Sequence, residues 1–77
     1  MRKPEPVLRA VSEFQLHGWE RPAKRQRASV LYDDGICRPV EVLGWMRDRR
    51  HGWLLHLRWP DGHRDWRLHD SRYIHPL

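Results

Sequence analysis

Asp33-Asp34-Gly35, the charged run 48–52, Pro60-Asp61-Gly62 and Asp70-Ser71-Arg72 punctuate residues 28–77 and leave little room for a helix. Asp-Gly favours a tight hairpin because both positions tolerate a positive φ. In Pro-Asp-Gly the proline presets one φ and the glycine supplies a positive one. The residues between these turns alternate with the period of a strand. Residues 28–32 are the first strand. Residues 36–47 are the longest, with Val40 and Val42 on one face and Glu41 and Leu43 on the other. Over 53–59, Trp53, Leu55, Leu57 and Trp59 share a face, opposite Leu54, His56 and Arg58. Over 63–68, Arg64 and Trp66 oppose His63, Asp65 and Arg67. A 3₁₀ turn at 70–72 leads to a last short strand at 73–75. Gly44 marks a bulge or bend, and Pro39 leaves the start of its strand unpaired or at an edge. The pattern predicts a small, mainly β, five-stranded antiparallel barrel over 28–77. Its core would be Val40, Val42, Leu55, Leu57 and Ile74.

The preceding segment differs in character. Residues 1–6 are polar and contain Pro4 and Pro6. In 7–16, helical spacing puts Val7, Leu8, Val11 and Phe14 on one stripe, with Arg9 one turn before Glu13. Strand spacing puts Leu8, Ala10, Phe14 and Leu16 on one face instead. We expect a short helix over 7–16 that covers an open end of the barrel, with a strand as the alternative. His17-Gly18 stops that element, and Pro22 bars continuation of a helix. Residues 20–27 then read as a basic connector. The chain divides into an N-terminal basic arm, 1–27, and a barrel, 28–77.

At 77 residues the chain is one domain, and it buries only ~60% of the surface its unfolded form exposes. Five Trp side chains can supply core volume, since each large aromatic buries ~150–250 Å². The one cysteine, Cys37, excludes an internal disulfide and a Cys-based zinc site and fits a reducing cytoplasm. Met-Arg-Lys-Pro-Glu-Pro has no apolar run behind it, so neither a signal peptide nor a membrane span is expected. His63, His69 and His75 recur at six-residue intervals, but on a strand, a turn and a strand. No two histidines are four apart, and no metal or other cofactor is expected. Ser12, Ser29, Ser71 and Cys37 carry no nucleophile motif, and a barrel this small offers little concave volume. We expect no enzyme.

Hairpin, bulged strand, hairpin, 3₁₀ turn and short closing strand form the pattern of an SH3-like barrel. Residues 30–77 more narrowly resemble a Tudor-type domain. Tyr32-Asp33-Asp34-Gly35 looks like the family's aromatic-acidic-acidic-Gly hairpin, and Val40 and Val42 look like the small apolar residues of its next strand. Trp59-Pro60-Asp61-Gly62 looks like its aromatic-x-Asp-x-Gly turn shortened by one residue, and Ile74-His75-Pro76-Leu77 like its ending. The resemblance implies an aromatic cage for methylated Lys or Arg, because aromatic faces attract a diffuse cation. By position that cage falls at Tyr32, Arg38 and Trp59. The chain departs from the pattern there. Arg38 stands where an aromatic is needed, Gly62 follows Asp61 where a further aromatic belongs, and a charge inside a cage repels a cationic ligand. No preference for methylated peptides is expected.

The formal net charge is +5. Residues 1–27 hold 7 basic and 3 acidic side chains, whereas 28–77 hold 8 and 7. Arg21, Lys24, Arg25 and Arg27 make the first segment cationic, which suits an anionic partner, nucleic acid first. Arg47, Arg49 and Arg50 bracket one hairpin turn between Trp45 and Trp53. Arg58, Arg64 and Arg67 lie on the next hairpin beside Trp59 and Trp66. Arginine meets phosphate with a planar fork, and aromatic rings stack on bases. Tyr32, Trp45, Trp59 and Trp66 are the candidate aromatic face. The plain alternative makes Trp53, Trp59 and Trp66 core, with Asp48, Asp61 and Asp65 neutralising their arginine neighbours. The expectation is a non-catalytic cytoplasmic module that binds nucleic acid, duplex DNA before RNA, by phosphate-backbone contacts. It would act alone or as an accessory to a transcription or DNA-handling complex. The rival is a protein-interaction module working through the barrel edge or aromatic face. Mixed charge around an exposed Leu43, Trp45 and Leu54 patch would mark it.

Overall fold

Six strands form one antiparallel sheet in a computed structural model that describes residues 2–77. They are β1 (Ala10–Val11), β2 (Arg21–Leu31), β3 (Cys37–Asp48), β4 (Gly52–Arg58), β5 (Arg64–Leu68) and β6 (Ile74–Pro76). Their spatial order is β1-β5-β4-β3-β2-β6, so the sheet is open, with β1 and β6 as its free edges. The meander from β2 to β5 is joined by the turns that the sequence marks. Gly35 takes a φ of 82°, and the Gly35 N–H closes the first turn on the Tyr32 carbonyl at 3.0 Å. β6 returns beside β2, with Ile74 opposite Val30.

The strands thus number six rather than five, and the N-terminal helix is absent. Residues 7–16 instead contain β1, with Ala10 opposite Arg67 and Val11 opposite Trp66, then a single 3₁₀ turn, Glu13–Gln15. The reason is the destination of the apolar side chains. Leu8 enters one core cluster and Val11 another, while Phe14 is exposed. A helical stripe faces only one way and cannot serve two cores. An extended strap can. The Asp33 N–H donates to the Glu5 carbonyl at 2.8 Å, and the Val7 N–H donates to the Leu31 carbonyl at 3.0 Å. The strap therefore runs from the end of β2 across to β5.

Residues 21–27, expected in a connector, are the first half of β2, and the division at residue 27 falls inside that strand. They lie along β3 with a register shift between Pro22 and Gln26. β6 pairs only with 28–30, which leaves the outer side of 21–26 without a strand neighbour. An open edge tolerates proline and favours cations that discourage strand addition.

The sheet carries core on both faces, and the bulge at Gly44 divides it. Val42 pairs with Leu57 and Gly44 with His56, so Leu43 is the extra residue. Because side chains alternate and cross-strand partners share a face, this insertion moves the even-numbered residues of β3 to the other side. Before it, Val40 and Val42 pack with Leu8, Ala28, Val30, Tyr32, Leu57, Trp59 and Ile74 on what we call the first face. After it, Met46 packs with Val11, Leu54 and Trp66 on the second face. Of the expected core, Val40, Val42, Leu57 and Ile74 are buried, and Leu55 is partly buried. Leu54, which the rival protein-interaction reading would have in an exposed patch, is fully buried and pairs with Met46.

Candidate nucleic-acid interface

Lys3 and Arg9, exposed in the N-terminal segment, have no acidic partner among the described residues, and the other thirteen cations fall into two classes. Those of the first are tied to carboxylates. Arg38 grips Asp34 with two bonds of 3.1 and 2.8 Å, and Arg67 grips Asp65 with two of 3.1 and 2.8 Å. Arg72 holds Asp70 at 2.7 Å, Arg58 meets Glu41 at 3.5 Å, and Arg2 pairs with Asp33. The Arg38 guanidinium keeps the Asp34 carboxyl below its usual range, and Arg72 holds that of Asp70 down to about 2. In the second class are Arg21, Lys24, Arg25, Arg27, Arg47, Arg49, Arg50 and Arg64. All are exposed, and none has an acidic partner within ion-pair distance among the described residues. Arg64 apart, they sit on the open half of β2 and around the β3–β4 turn. Of the nominated cations, Arg58 and Arg67 are therefore engaged within the fold.

The β3–β4 turn stays positive because its carboxylate points inward. Asp48 is 3% exposed. It accepts the backbone N–H groups of His17 at 2.9 Å, Arg50 at 2.7 Å and His51 at 3.2 Å, and it meets His51 Nδ1 at 3.1 Å. These donors, His17 foremost, hold its carboxyl well below the usual range against the opposing effect of burial. Asp48 thus fastens the 17–18 segment to the turn and leaves the Arg47, Arg49 and Arg50 side chains without a counter-ion. Glu20 is also engaged. It lies over Gly44 and meets His56 Nδ1 at 2.9 Å, and the His56 ring stacks on Trp66 with centroids 4.8 Å apart.

An aromatic pair lies among the free cations. On the first face, Arg21, Trp45, Leu55 and Arg67 form one cross-strand row, and Arg47 lies opposite Trp53. The core of that face ends at Leu55. Beyond it Trp45 is partly exposed and Trp53 is 48% exposed. The two indole centroids are 5.2 Å apart at an interplanar angle of 52°. The Arg21 guanidinium lies 5.2 Å from the Trp45 ring, and that of Arg47 lies 5.5 Å from the Trp53 ring. A shallow groove of about 420 Å³ follows the pair, lined by Trp45, Trp53, Leu54, Leu55 and His69. The alternative that made Trp53, Trp59 and Trp66 core holds for the last two and fails for Trp53. The available signal was its place directly after the turn glycine Gly52, at the far end of the strand from Trp59.

Tyr32, Trp59 and Trp66, nominated for an aromatic face, are buried. Tyr32 and Trp59 meet edge to face at 6.1 Å, where a Tudor cage would lie. The Arg38 guanidinium stands 4.4 Å from the Tyr32 ring, and that of Arg67 stands 4.8 Å from Trp59. Trp59 Nε1 donates to Asp65 at 2.7 Å, and Arg67 also donates to the Leu8 carbonyl at 2.7 Å. Burial pushes the Tyr32 hydroxyl pKa up, with Arg38 opposing it. A groove of about 730 Å³ opens here beneath the strap. The chain's own guanidinium groups already lie against both rings.

Among the described residues, no group of three or more His, Cys, Asp or Glu side chains could hold a metal ion, and no helix is long and apolar enough to cross a membrane. Comparison with protein-family models, curated proteins and solved structures gives no match. The likeness to Tudor domains therefore rests on the residues alone.

Proposed function

We propose that this chain is a non-catalytic nucleic-acid-binding module that holds the phosphate backbone with the free cations of β2 and the β3–β4 turn. The observation that supports this reading is the partition of charge. Acids neutralise Arg38, Arg58, Arg67 and Arg72, while Arg21, Lys24, Arg25, Arg27, Arg47, Arg49 and Arg50, gathered on β2 and around the β3–β4 turn, have no acidic partner among the described residues. A cation without an internal partner is free to meet a phosphate and displace its counter-ion. Duplex DNA is the partner expected from the sequence, and the reducing cytoplasm the setting, where the exposed Cys37 stays a free thiol. The sheet is read as an SH3-like, Tudor-type fold whose cage has lost its function. What supports this is the β6-β2-β3-β4-β5 order, the bulge at Gly44 and the strap across one end.

Affinity for duplex DNA measured against salt tests the proposal. The log of the association constant should fall linearly with log salt, by ~0.9 per phosphate neutralised. Seven cations, each on one phosphate, set an upper bound of about 6 on that slope. Failure to bind any nucleic acid at low salt overturns the proposal.

A second reading has its own observation. Phe14 and Trp19, between β1 and β2, are each 90% exposed, and tryptophan is a frequent anchor in protein interfaces. A protein-interaction module would bind through these side chains, and its affinity for DNA would be absent or independent of the cations named above.

A further inference from the structure

The first face of the sheet continues past its core without a cover. Leu55 is packed against buried residues, but of the next positions on the same face Trp45 is only half-buried and Trp53 is exposed. We infer that these two indoles form a stacking platform for an unpaired base, which makes the partner single-stranded nucleic acid rather than closed duplex. The inference rests on the phosphate-contact reading above and replaces the duplex partner named there with a single strand.

Charge selects this occupant over an apolar peptide. Arg21 and Arg47 lie against the two rings, but no carboxylate pins them there as Asp34 and Asp65 pin Arg38 and Arg67, so each can swing to a phosphate and open its ring to a base; Arg49 and Arg50 follow in the adjoining turn. The nearby carboxylates are occupied. Asp48 points inward to the His17, Arg50 and His51 N–H groups, and Glu20 is held by His56 on the second face. The platform therefore combines flat apolar area with unneutralised positive charge, the combination that a base and its phosphate require. A closed duplex hides the faces of its bases in the stack and offers an indole on a sheet nothing to lie on. Every base has a π-face, and His69 is the one polar side chain lining the groove. Sequence preference should accordingly be weak.

The test uses the full chain with three labelled probes of equal length: oligo-dT, oligo-dA and a blunt DNA duplex. Anisotropy gives affinity and its salt slope for wild type, Trp53→Leu and Trp53→Phe. Leucine keeps apolar cover but has no π-face; phenylalanine restores one. Circular dichroism checks that each variant is folded, which the exposure of Trp53 leads us to expect. The wild type should bind both single strands more tightly than the duplex. Trp53→Leu should weaken single-strand binding by about 5- to 150-fold, the range measured for losing one stacked base. Its salt slope should be unchanged and its duplex affinity altered less than about 2-fold. Trp53→Phe should recover most of the loss. Equal effects of Trp53→Leu on duplex and single strand, or no effect on either, overturn the stacking inference while a steep slope leaves the phosphate reading standing. No binding to any probe overturns both and leaves the protein-partner reading.

Discussion

Asp48 is a buried carboxylate with only donors around it, and this sets how the domain responds to acid. Its folded-state pKa lies well below the ordinary value, as does that of Asp70, held at about 2. In the unfolded chain both revert to roughly 3.9. Over the interval between, the unfolded state binds more protons than the folded one, so stability rises with pH there. The contribution is complete above the unfolded value and is lost as pH falls from about 4 toward 2. We expect the urea midpoint to be level from neutrality down to about pH 5 and to drop steeply below pH 4. Asp48→Asn should flatten that drop, because an amide does not titrate here. It must also turn its NH₂ toward a donor, against either His17 N–H or the N–H groups of Arg50 and His51. A fall in melting temperature of roughly 5–10 °C at pH 7 is expected for a domain of this size. An Asp48→Asn protein with the wild-type melting point and acid profile would show that this carboxylate does not anchor the turn.

At the scale of elements, the interval from Gly18 to Pro22 against β3 decides whether β2 begins at residue 21. A Cβ on Gly44 would strike the Glu20 carboxylate and come within 2.9 Å of the Arg21 carbonyl. A Cβ on Gly18 would lie 2.6 Å from Met46 Cγ and 2.7 Å from the Arg47 carbonyl. Gly44→Val should cost about 1–3 kcal/mol through overpacking. Hydrogen exchange should quicken at Arg21, Ala23 and His56 more than at Val30, and even acceleration across the sheet would contradict this. The bulge was legible in the sequence because a glycine inside a strand is a local signal. The hairpins and the strand faces were legible too, since turn chemistry and period-2 alternation need no tertiary information. The strand at 21–27 was not, because proline and cations argue against a central strand and only the sheet order reveals an edge. Nor was the strap, whose Leu8 and Val11 separate onto opposite faces. The free cations at 47–50 could be read from their turn. For Trp53 alternation gave the face and not where the core stops, and its place directly after Gly52 was the one local signal of exposure.

For the molecule as a whole, the open edge of β2 admits two explanations for its charge. Cations there either meet phosphates or merely prevent a second chain from pairing with the edge. The two can be separated by comparing sets of arginines that differ in their partners. Replacing Arg21, Lys24, Arg25 and Arg27 with Gln removes four free cations and no ion pair. If they meet phosphates, this variant should keep its melting point within a few degrees while its salt slope for DNA falls by about 3 to 4, near 0.9 for each phosphate no longer neutralised. Replacing Arg38, Arg67 and Arg72 with Gln removes a similar charge but breaks the pairs with Asp34, Asp65 and Asp70 and uncovers Trp59. That variant should lose stability and keep its salt slope. If the cations only guard the edge, the first variant should instead self-associate with rising concentration in sedimentation and leave the slope untouched. Seven unpaired cations on one half of a sheet exceed what edge protection requires, since even a single inward charge or proline can blunt a strand and Pro22 is already there. The surplus is what points to a polyanion, and an unchanged slope in the first variant would remove that support.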